Sequence, residues 1–294
     1  MKTYKLKLTA LTPIHIGTGE VYEPTNFVID GGYLYEFDEY EFVSKLSRKD
    51  KNLLISLSNM PEVYKFFKDR KKLAIDISYN HIKVCRDIET IYRYIEKPRI
   101  NFRTKEIMLN KNGKPVYNQM NILKTIKAIN FNEPIISGSS LKGAIQTFLN
   151  LDKSDSQKLI IPDSIEIKAD TQIGYVLRVH RNPNKKSKGQ IPQMIEVITP
   201  NSTFEMIVKC KDIDIIKQKS NEFYTNANKY LYESIKSNNI KNDNQFILRV
   251  GKYVGKEFMV RQIRKLPVTK SVFSISKRKD SDIVDFGWIL CEVI

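Results

Sequence analysis

The chain opens on an alternating pattern. In TYKLKLTALTPIHIG, Tyr4, Leu6 and Leu8 fall on one face and Lys5, Lys7 and Thr9 on the other, the period of a half-buried strand. Pro13 bends this strand or marks an edge, and Gly17-Thr18-Gly19 ends it. FVIDGGYLYEFD predicts a hairpin about Asp30-Gly31-Gly32, and Asp38 followed three residues later by Glu41 predicts a capped helix through Phe42, Val43 and Leu46. MPEVYKFFKDRKKL has helical spacing, and RINFRTKEIMLNKNGKPVYN predicts a basic hairpin turning at Asn112-Gly113. Leu141, Ile145, Phe148 and Leu149 form one helix face, with Gly138-Ser139-Ser140 before it and Ser139 as the natural N-cap.

Beyond that helix the pattern returns to strands in IGYVLRVH and MIEVITPNSTFEMIVK, separated by a basic loop over 181–190. That loop lacks any apolar residue to anchor it, which predicts flexibility. A long helix around KSNEFYTNANKYLYESIKS, the strand FILRV, a glycine loop GKYVGKE and a closing strand GWILCEVI complete the chain. Strands and helices interleaved in this way predict an α+β fold. Each half offers strands around a helix, with a boundary near residues 150–170, and residues 50–130 are expected to be a mostly helical insertion into the first domain.

Composition adds an electrostatic expectation. The 294 residues carry 49 Lys and Arg against 33 Asp and Glu, a net +16, so an anionic partner is the first to consider. The richness in Lys, Asn and Ile is also what an AT-rich genome would produce, which keeps open a purely structural interaction protein. Three scattered cysteines give neither a disulfide framework nor a metal signature, and His15, His81 and His180 lack metal-ligand spacing. No metal or other cofactor is expected. The alternating N-terminus is not a signal peptide, and no apolar run reaches membrane-spanning length, so a cytoplasmic protein without a membrane partner is expected.

Enzyme motifs fail on inspection. Ser139-x-x-Lys142 matches the nucleophile pair of serine β-lactamases, but the accompanying Ser-Asp-Asn and Lys-Thr-Gly elements are missing. GKYVGKE has three residues between its glycines where a P-loop needs four, and Glu257 follows Lys256 where Ser or Thr is required. Phosphate binding survives. A helix N-terminus offers free amides and a positive dipole end, Ser139 and Ser140 add hydroxyls, and Lys142 adds a cation that the dipole alone would repel. Gly143, costly inside a helix, then leaves room for a ligand or another backbone to approach, though packing against a strand is the competing reading. His15 reads first as a structural hydrogen-bonder and second as an acid–base group.

LTPIHIGTGE and PIISGSSLKGAIQ together resemble the paired motifs of the RAMP superfamily of CRISPR-associated proteins. The glycine loop after FILRV and the final GWILCEV are similar to that superfamily's C-terminal glycine-rich region. The pairing of TPIHIG with GSSLKGA is most similar to the fifth-subunit family of the type III-A (Csm) effector. The resemblance implies tandem RRM-like (ferredoxin-like) domains, here 1–160, with the insertion at about 50–130, and 161–294. It implies a non-catalytic subunit that binds the 3′ part of the crRNA, caps the filament of backbone subunits, and supports crRNA maturation and antiviral defence. Its partners would be crRNA, the adjacent backbone RAMP subunit and other type III-A subunits, with a recruited nuclease as a further candidate.

The RNA-binding residues so expected are His15, Gly17, Gly19, Ser139, Ser140, Lys142, Lys185, Lys186, Lys188, Arg249, Lys252 and Lys256. The target-cleaving backbone subunit of this superfamily carries an aspartate shortly after its glycine turn. Here no Asp lies between Gly19 and Asp30, and Asp30 sits in the predicted hairpin turn. Two positions depart from the family pattern: Ser137 replaces the usual proline before the central glycine motif, and Gln146 the usual arginine after KGAI. The rival within the superfamily is a metal-independent endoribonuclease that processes CRISPR transcripts with His15 as acid or base.

Overall fold

The computed structural model describes residues 1–101, 103–128, 132–149, 157–182, 184–185, 192–260, 266–277 and 283–294. They fall into two compact units, one of Met1–Thr18 with Lys124–Ile294, the other Gly19–Leu123. This division runs along different lines from the expected boundary near residue 160.

The first unit is organised by β1 (Lys2–Ala10), where the predicted alternation holds: Leu6, Leu8 and Ala10 are fully buried while Lys5 and Lys7 are exposed. β1 lies between β10 (Thr203–Cys210) and β14 (Trp288–Val293), antiparallel to both, with Leu6 opposite Met206 and Leu8 opposite both Phe204 and Cys291. β7 (Ile165–Lys168) and β11 (Gln245–Arg249) complete a five-stranded sheet in the order β11-β14-β1-β10-β7. Strands from the two expected halves therefore share one sheet. The apolar residues of that sheet form a core with α6 (Gly138–Leu149), through Leu141, Ile145 and Phe148, and with α7 (Ile213–Asn239), through Ile213, Ile216 and Tyr224.

α7 is capped by Asp212, whose carboxylate accepts from the Asp214 amide, and it kinks at Asn228, which has non-helical φ/ψ. Tyr224, Tyr232, Phe258 and Trp288 gather beside α7, ring to ring at 5.5–6.3 Å across the contacts that Trp288 makes. The same unit holds a second run of antiparallel pairing. In it β8 (Thr171–His180) lies between β9 (Gln193–Ile198) and β12 (Thr269–Ser274), and β12 also pairs with β13 (Ile283–Val284).

The second unit contains the predicted hairpin, β3 (Phe27–Asp30) and β4 (Tyr33–Glu36), continued by β5 (Asn80–Val84) beside β4. Gly31 and Gly32 both turn at positive φ, +58° and +83°, as a two-residue hairpin turn of this kind requires. α1 (Glu39–Lys45) begins where expected, with the Asp38 carboxylate accepting from the Glu41 amide at 2.8 Å. α2 (Arg48–Ser56), α3 (Met60–Asp69), α4 (Lys71–Asp76) and α5 (Arg86–Arg93) follow, and Arg70 breaks the single helix expected over MPEVYKFFKDRKKL into α3 and α4. The basic segment 98–117 makes two turns where one was expected. Ile100 bridges to Ile107 and Leu109 to Pro115, with Gly113 at φ +72° in the second turn. The α+β character is thus as predicted, with seven helices among the described residues.

Candidate nucleic-acid interface

Two glycine-bearing segments from opposite ends of the chain meet in the first unit. The Lys252 amide donates to the carbonyl of His15 at 2.8 Å, and the Gly287 amide donates to the carbonyl of Pro13 at 2.9 Å. Gly251, at φ +88°, has room for nothing larger: a Cβ there would lie 2.5 Å from the His15 carbonyl oxygen. The loop therefore lies directly on the TPIHIG segment. It leaves Lys252 exposed, with its ammonium 5.2 Å from the centre of the Tyr253 ring. Tyr253 is a non-glycine residue at φ +69°, a strained setting secured by its hydroxyl donating to Gln193 Oε1 at 2.8 Å.

His15 itself is buried, with 1% of its surface exposed. Its Nδ1–H donates to the carbonyl of Glu196 at 2.7 Å, which fixes the tautomer because a carbonyl can only accept. Burial pushes its pKa below the ordinary value, opposed by the Glu196 hydrogen bond and reinforced by the charge of Lys252. A neutral imidazole sealed in this way is a structural post. The alternative use of His15 as a solvent-accessible acid or base does not fit this placement.

Glu196, which no motif pointed to, is the centre of this ground layer. Fully buried, it holds Lys127 Nζ at 2.8 Å through Oε1 and the Thr125 amide at 3.2 Å through Oε2. The Thr125 hydroxyl meets the Ile16 amide at 3.3 Å, and the Ile126 amide donates to the Ile16 carbonyl at 2.8 Å. The Ile135 amide then donates to the Ile126 carbonyl at 3.3 Å, three residues before the start of α6. The histidine segment and the GSSLKGA helix are so joined by short backbone steps. An acidic residue inside a strand of apolar neighbours, MIEVI, was the available signal for Glu196.

The helix start differs from expectation. Ser137, not Ser139, is the capping residue: its Oγ accepts from the Ser140 amide at 3.3 Å and its carbonyl accepts from the Leu141 amide at 3.2 Å. The three serines Ser137, Ser139 and Ser140 have nearly equal cap preference, and tertiary contacts decide among them. The Gly138 amide donates to Asp163 Oδ1 at 2.8 Å, and a Cβ on Gly138 would lie 2.0 Å from the carbonyl oxygen of Ile161. Lys142 therefore sits in the second turn and cannot complete a capping box. Ser139 remains exposed, Ser140 and Lys142 half-buried, and Gly143 exposed with nothing within 4 Å of the position a Cβ would take. The competing reading of Gly143 as packed against a strand is excluded by that open space.

The other expected residues are dispersed. Gly17 and Gly19 are exposed; a Cβ on Gly17 would come within 3.0 Å of His15 Nε2, and Gly19 turns at φ +92°. Lys185 and Lys256 are exposed, whereas Lys186 and Lys188 lie outside the described residues. Arg249 is inside the molecule, stacked over Phe258 and Trp288 at 4.3 and 4.7 Å from the ring centres, so it presents no cation to the outer surface. Arg181, at the start of the basic segment, donates from Nη2 to both oxygens of Glu257, at 2.7 and 2.8 Å. Asp30, the first aspartate after the glycine turn, is paired with Lys71 at 2.5 Å in the second unit. Among the described residues no group of three or more His, Cys, Asp or Glu is placed to hold a metal ion. Cys85, Cys210 and Cys291 are free and buried. No helix of the described residues is long and apolar enough to cross a membrane.

Comparison with known proteins bears on this arrangement. No family model matches the chain. A curated protein of Streptococcus thermophilus, the CRISPR system Cms protein Csm5, is 30% identical over 148 residues, a stretch covering 50% of this chain and 38% of that relative. The crystal structure of T. onnurineus Csm5 matches with a TM-score of 0.59 at 16% identity, covering 96% of this chain and 99% of that one. The chain resembles Csm5 and has its fold. A chain in the cryo-EM structure of a Csm–crRNA–target RNA ternary complex of the type III-A CRISPR-Cas system matches at TM-score 0.65 and 16% identity. That match covers 99% of this chain and 100% of the other. The fold of that Csm5 crystal structure thus matches 96% of this chain, while the sequence match spans well under two thirds of the curated relative's length.

Proposed function

We propose that the protein is a non-catalytic, crRNA-binding subunit of a type III-A CRISPR (Csm) effector complex. In this reading it holds the 3′ part of the crRNA, caps the filament of backbone subunits beside the adjacent RAMP subunit, and supports crRNA maturation and antiviral defence. A recruited nuclease is a further partner in this reading, and the cytoplasm the place of action. The observation that carries it is the seating of the Lys252 loop on the buried His15 segment, which offers an exposed cation and glycine backbone on a rigid base. The Csm5 resemblance supports the same assignment. The antiparallel order β14-β1-β10-β7, with α6 between β1 and β7 and α7 after β10, is similar to a ferredoxin-like unit and supports the RRM-like reading, although β11, the strand after α7, lies outside β14. Contacts through Lys142, Ser139, Lys185, Lys252 and Lys256 would be to phosphates and independent of sequence, as a subunit serving every spacer needs.

The test is RNA affinity against salt. The logarithm of the binding constant should fall with the logarithm of salt at about −0.7 per phosphate contacted. Lys252→Glu and Lys142→Glu each replace about 1 kcal/mol of attraction at ~4 Å in water by a similar repulsion, a loss of about tenfold or more. A flat salt response, or unchanged affinity in both variants, refutes the reading. Cleavage of repeat RNA that disappears in His15→Ala would refute the non-catalytic assignment.

A further inference from the structure

Below the glycine loop lies a small cavity of about 30 Å³ that opens to solvent, lined on its charged side by Arg181, Arg249, Lys270, Glu257 and Asp285. Its size is far below the ~300–1,000 Å³ of pockets that take whole small molecules. The charges do not balance. Glu257 is committed to Arg181 through both oxygens, and Asp285 to Lys270 at 2.9 Å. Arg249 is left without a carboxylate of its own among the described residues, although only 5% of it is exposed.

The hydrogen-bond account is equally uneven. Arg249 Nε donates to the Phe286 carbonyl at 2.8 Å, and one guanidinium face is covered by Phe258 and Trp288. Its two terminal nitrogens have no partner among the described residues. Arg181 Nε is buried and also without a partner. All of these open positions are N–H donors, and two of the side chains concerned are cations that never lose their proton at neutral pH. Burial holds the Arg249 pKa down to about 10, with the charges of Asp285 and Glu257 opposing that shift. A guanidinium withdrawn from water without a carboxylate of its own is destabilised, so something of opposite charge gains by entering.

We propose that this cavity is a binding site for a single phosphoryl oxyanion, held by Arg249 and Arg181 with Lys270 and Ser271 at its wall. A phosphoryl group supplies several acceptors to a planar guanidinium and brings the negative charge that the cavity lacks. The inference rests on the RNA-binding reading only for the natural source of the phosphate. A phosphate of bound RNA and free inorganic phosphate offer the same chemistry.

The test uses the full-length protein and inorganic phosphate, compared with chloride at equal ionic strength. Phosphate at about ten times its dissociation constant should raise the melting temperature by roughly 2–5 °C. Ser271→Asp, which adds a negative charge at the wall, should abolish that rise, and Glu257→Gln, which removes one, should enlarge it. Arg249→Met should also abolish it, and the two wall variants keep the test decisive if Arg249→Met fails to fold. No rise in the wild type, or a rise undiminished in Ser271→Asp, overturns the site and leaves a water-filled cavity. Competition then identifies the source: phosphate should weaken RNA binding to the wild type more than to Ser271→Asp. A thermal rise without such competition supports the site with free phosphate as its ligand. A protein that binds no RNA yet keeps the thermal rise has lost the RNA-binding reading and not this one.

Discussion

Gly138 and Gly143 lie in one helix, five residues apart, and alanine at the two positions should have opposite effects. At Gly143 the backbone is helical, the residue is exposed and a Cβ would meet nothing within 4 Å. Alanine there removes conformational freedom from the unfolded chain and adds no clash, a gain of about 0.5–1 kcal/mol. At Gly138 the added Cβ would sit 2.0 Å from the Ile161 carbonyl oxygen and 2.7 Å from Pro162 backbone atoms. Backbone cannot yield as a flexible side chain can, so either the helix start or the 161–163 segment must move. Movement would stretch the Gly138 amide bond to Asp163 and the Ile136 amide bond to Ser164 Oγ, both 2.8 Å. Overpacking with loss of buried hydrogen bonds costs about 3 kcal/mol. With about 2–4 °C per kcal/mol for chains of this size class, Gly143→Ala should raise the melting temperature by roughly 1–4 °C and Gly138→Ala lower it by roughly 6–12 °C. Urea midpoints measured beside the melting curves should move in the same directions with unchanged slope. A destabilised Gly143→Ala would mean that something packs on that face, and a neutral Gly138→Ala would refute the close approach that sets the start of α6. Since Gly143→Ala improves the fold, any loss of RNA affinity it causes reports on contact at that open surface.

Gly251→Ala should destabilise the protein by about 3 kcal/mol, because it combines φ +88° with a Cβ 2.5 Å from the His15 carbonyl oxygen; melting curves check it, and a loss under 1 kcal/mol would show that the loop lifts off. His15 predicts a pH effect. With its folded pKa pushed below the ordinary 6.5, chiefly by burial, the unfolded chain takes up the proton first as pH falls. Stability should therefore decline as pH drops below about 6.5, level off below the folded pKa, and be unaffected by this residue at higher pH. Comparing the acid side of the stability–pH curve with that of His15→Asn isolates the term, and identical curves would refute it.

Local pattern decided what depends on neighbours in sequence. The alternation of β1 follows from which residues favour water, Asp38 caps α1 because its carboxylate reaches an amide three residues on, and Gly31-Gly32 turn the β3–β4 hairpin because a hairpin turn needs positive φ there. The two motif segments were legible for the same reason, being short runs whose residue types carry their chemistry. Long-range contacts decided the rest. Ser137, Ser139 and Ser140 are interchangeable as caps until Asp163 and the Ile161 carbonyl meet Gly138 from another part of the chain. Arg249 reads as a surface cation beside a glycine loop, yet Phe258 and Trp288 close over it. Glu196 is a lone acid in an apolar run, and it becomes the centre of the site only because Thr125, Lys127 and His15 are brought to it across 69 to 181 residues of chain. Periodicity records which face of an element is buried. Which distant groups share that burial is fixed by packing, and a buried charge is tolerated only where packing has supplied its partners.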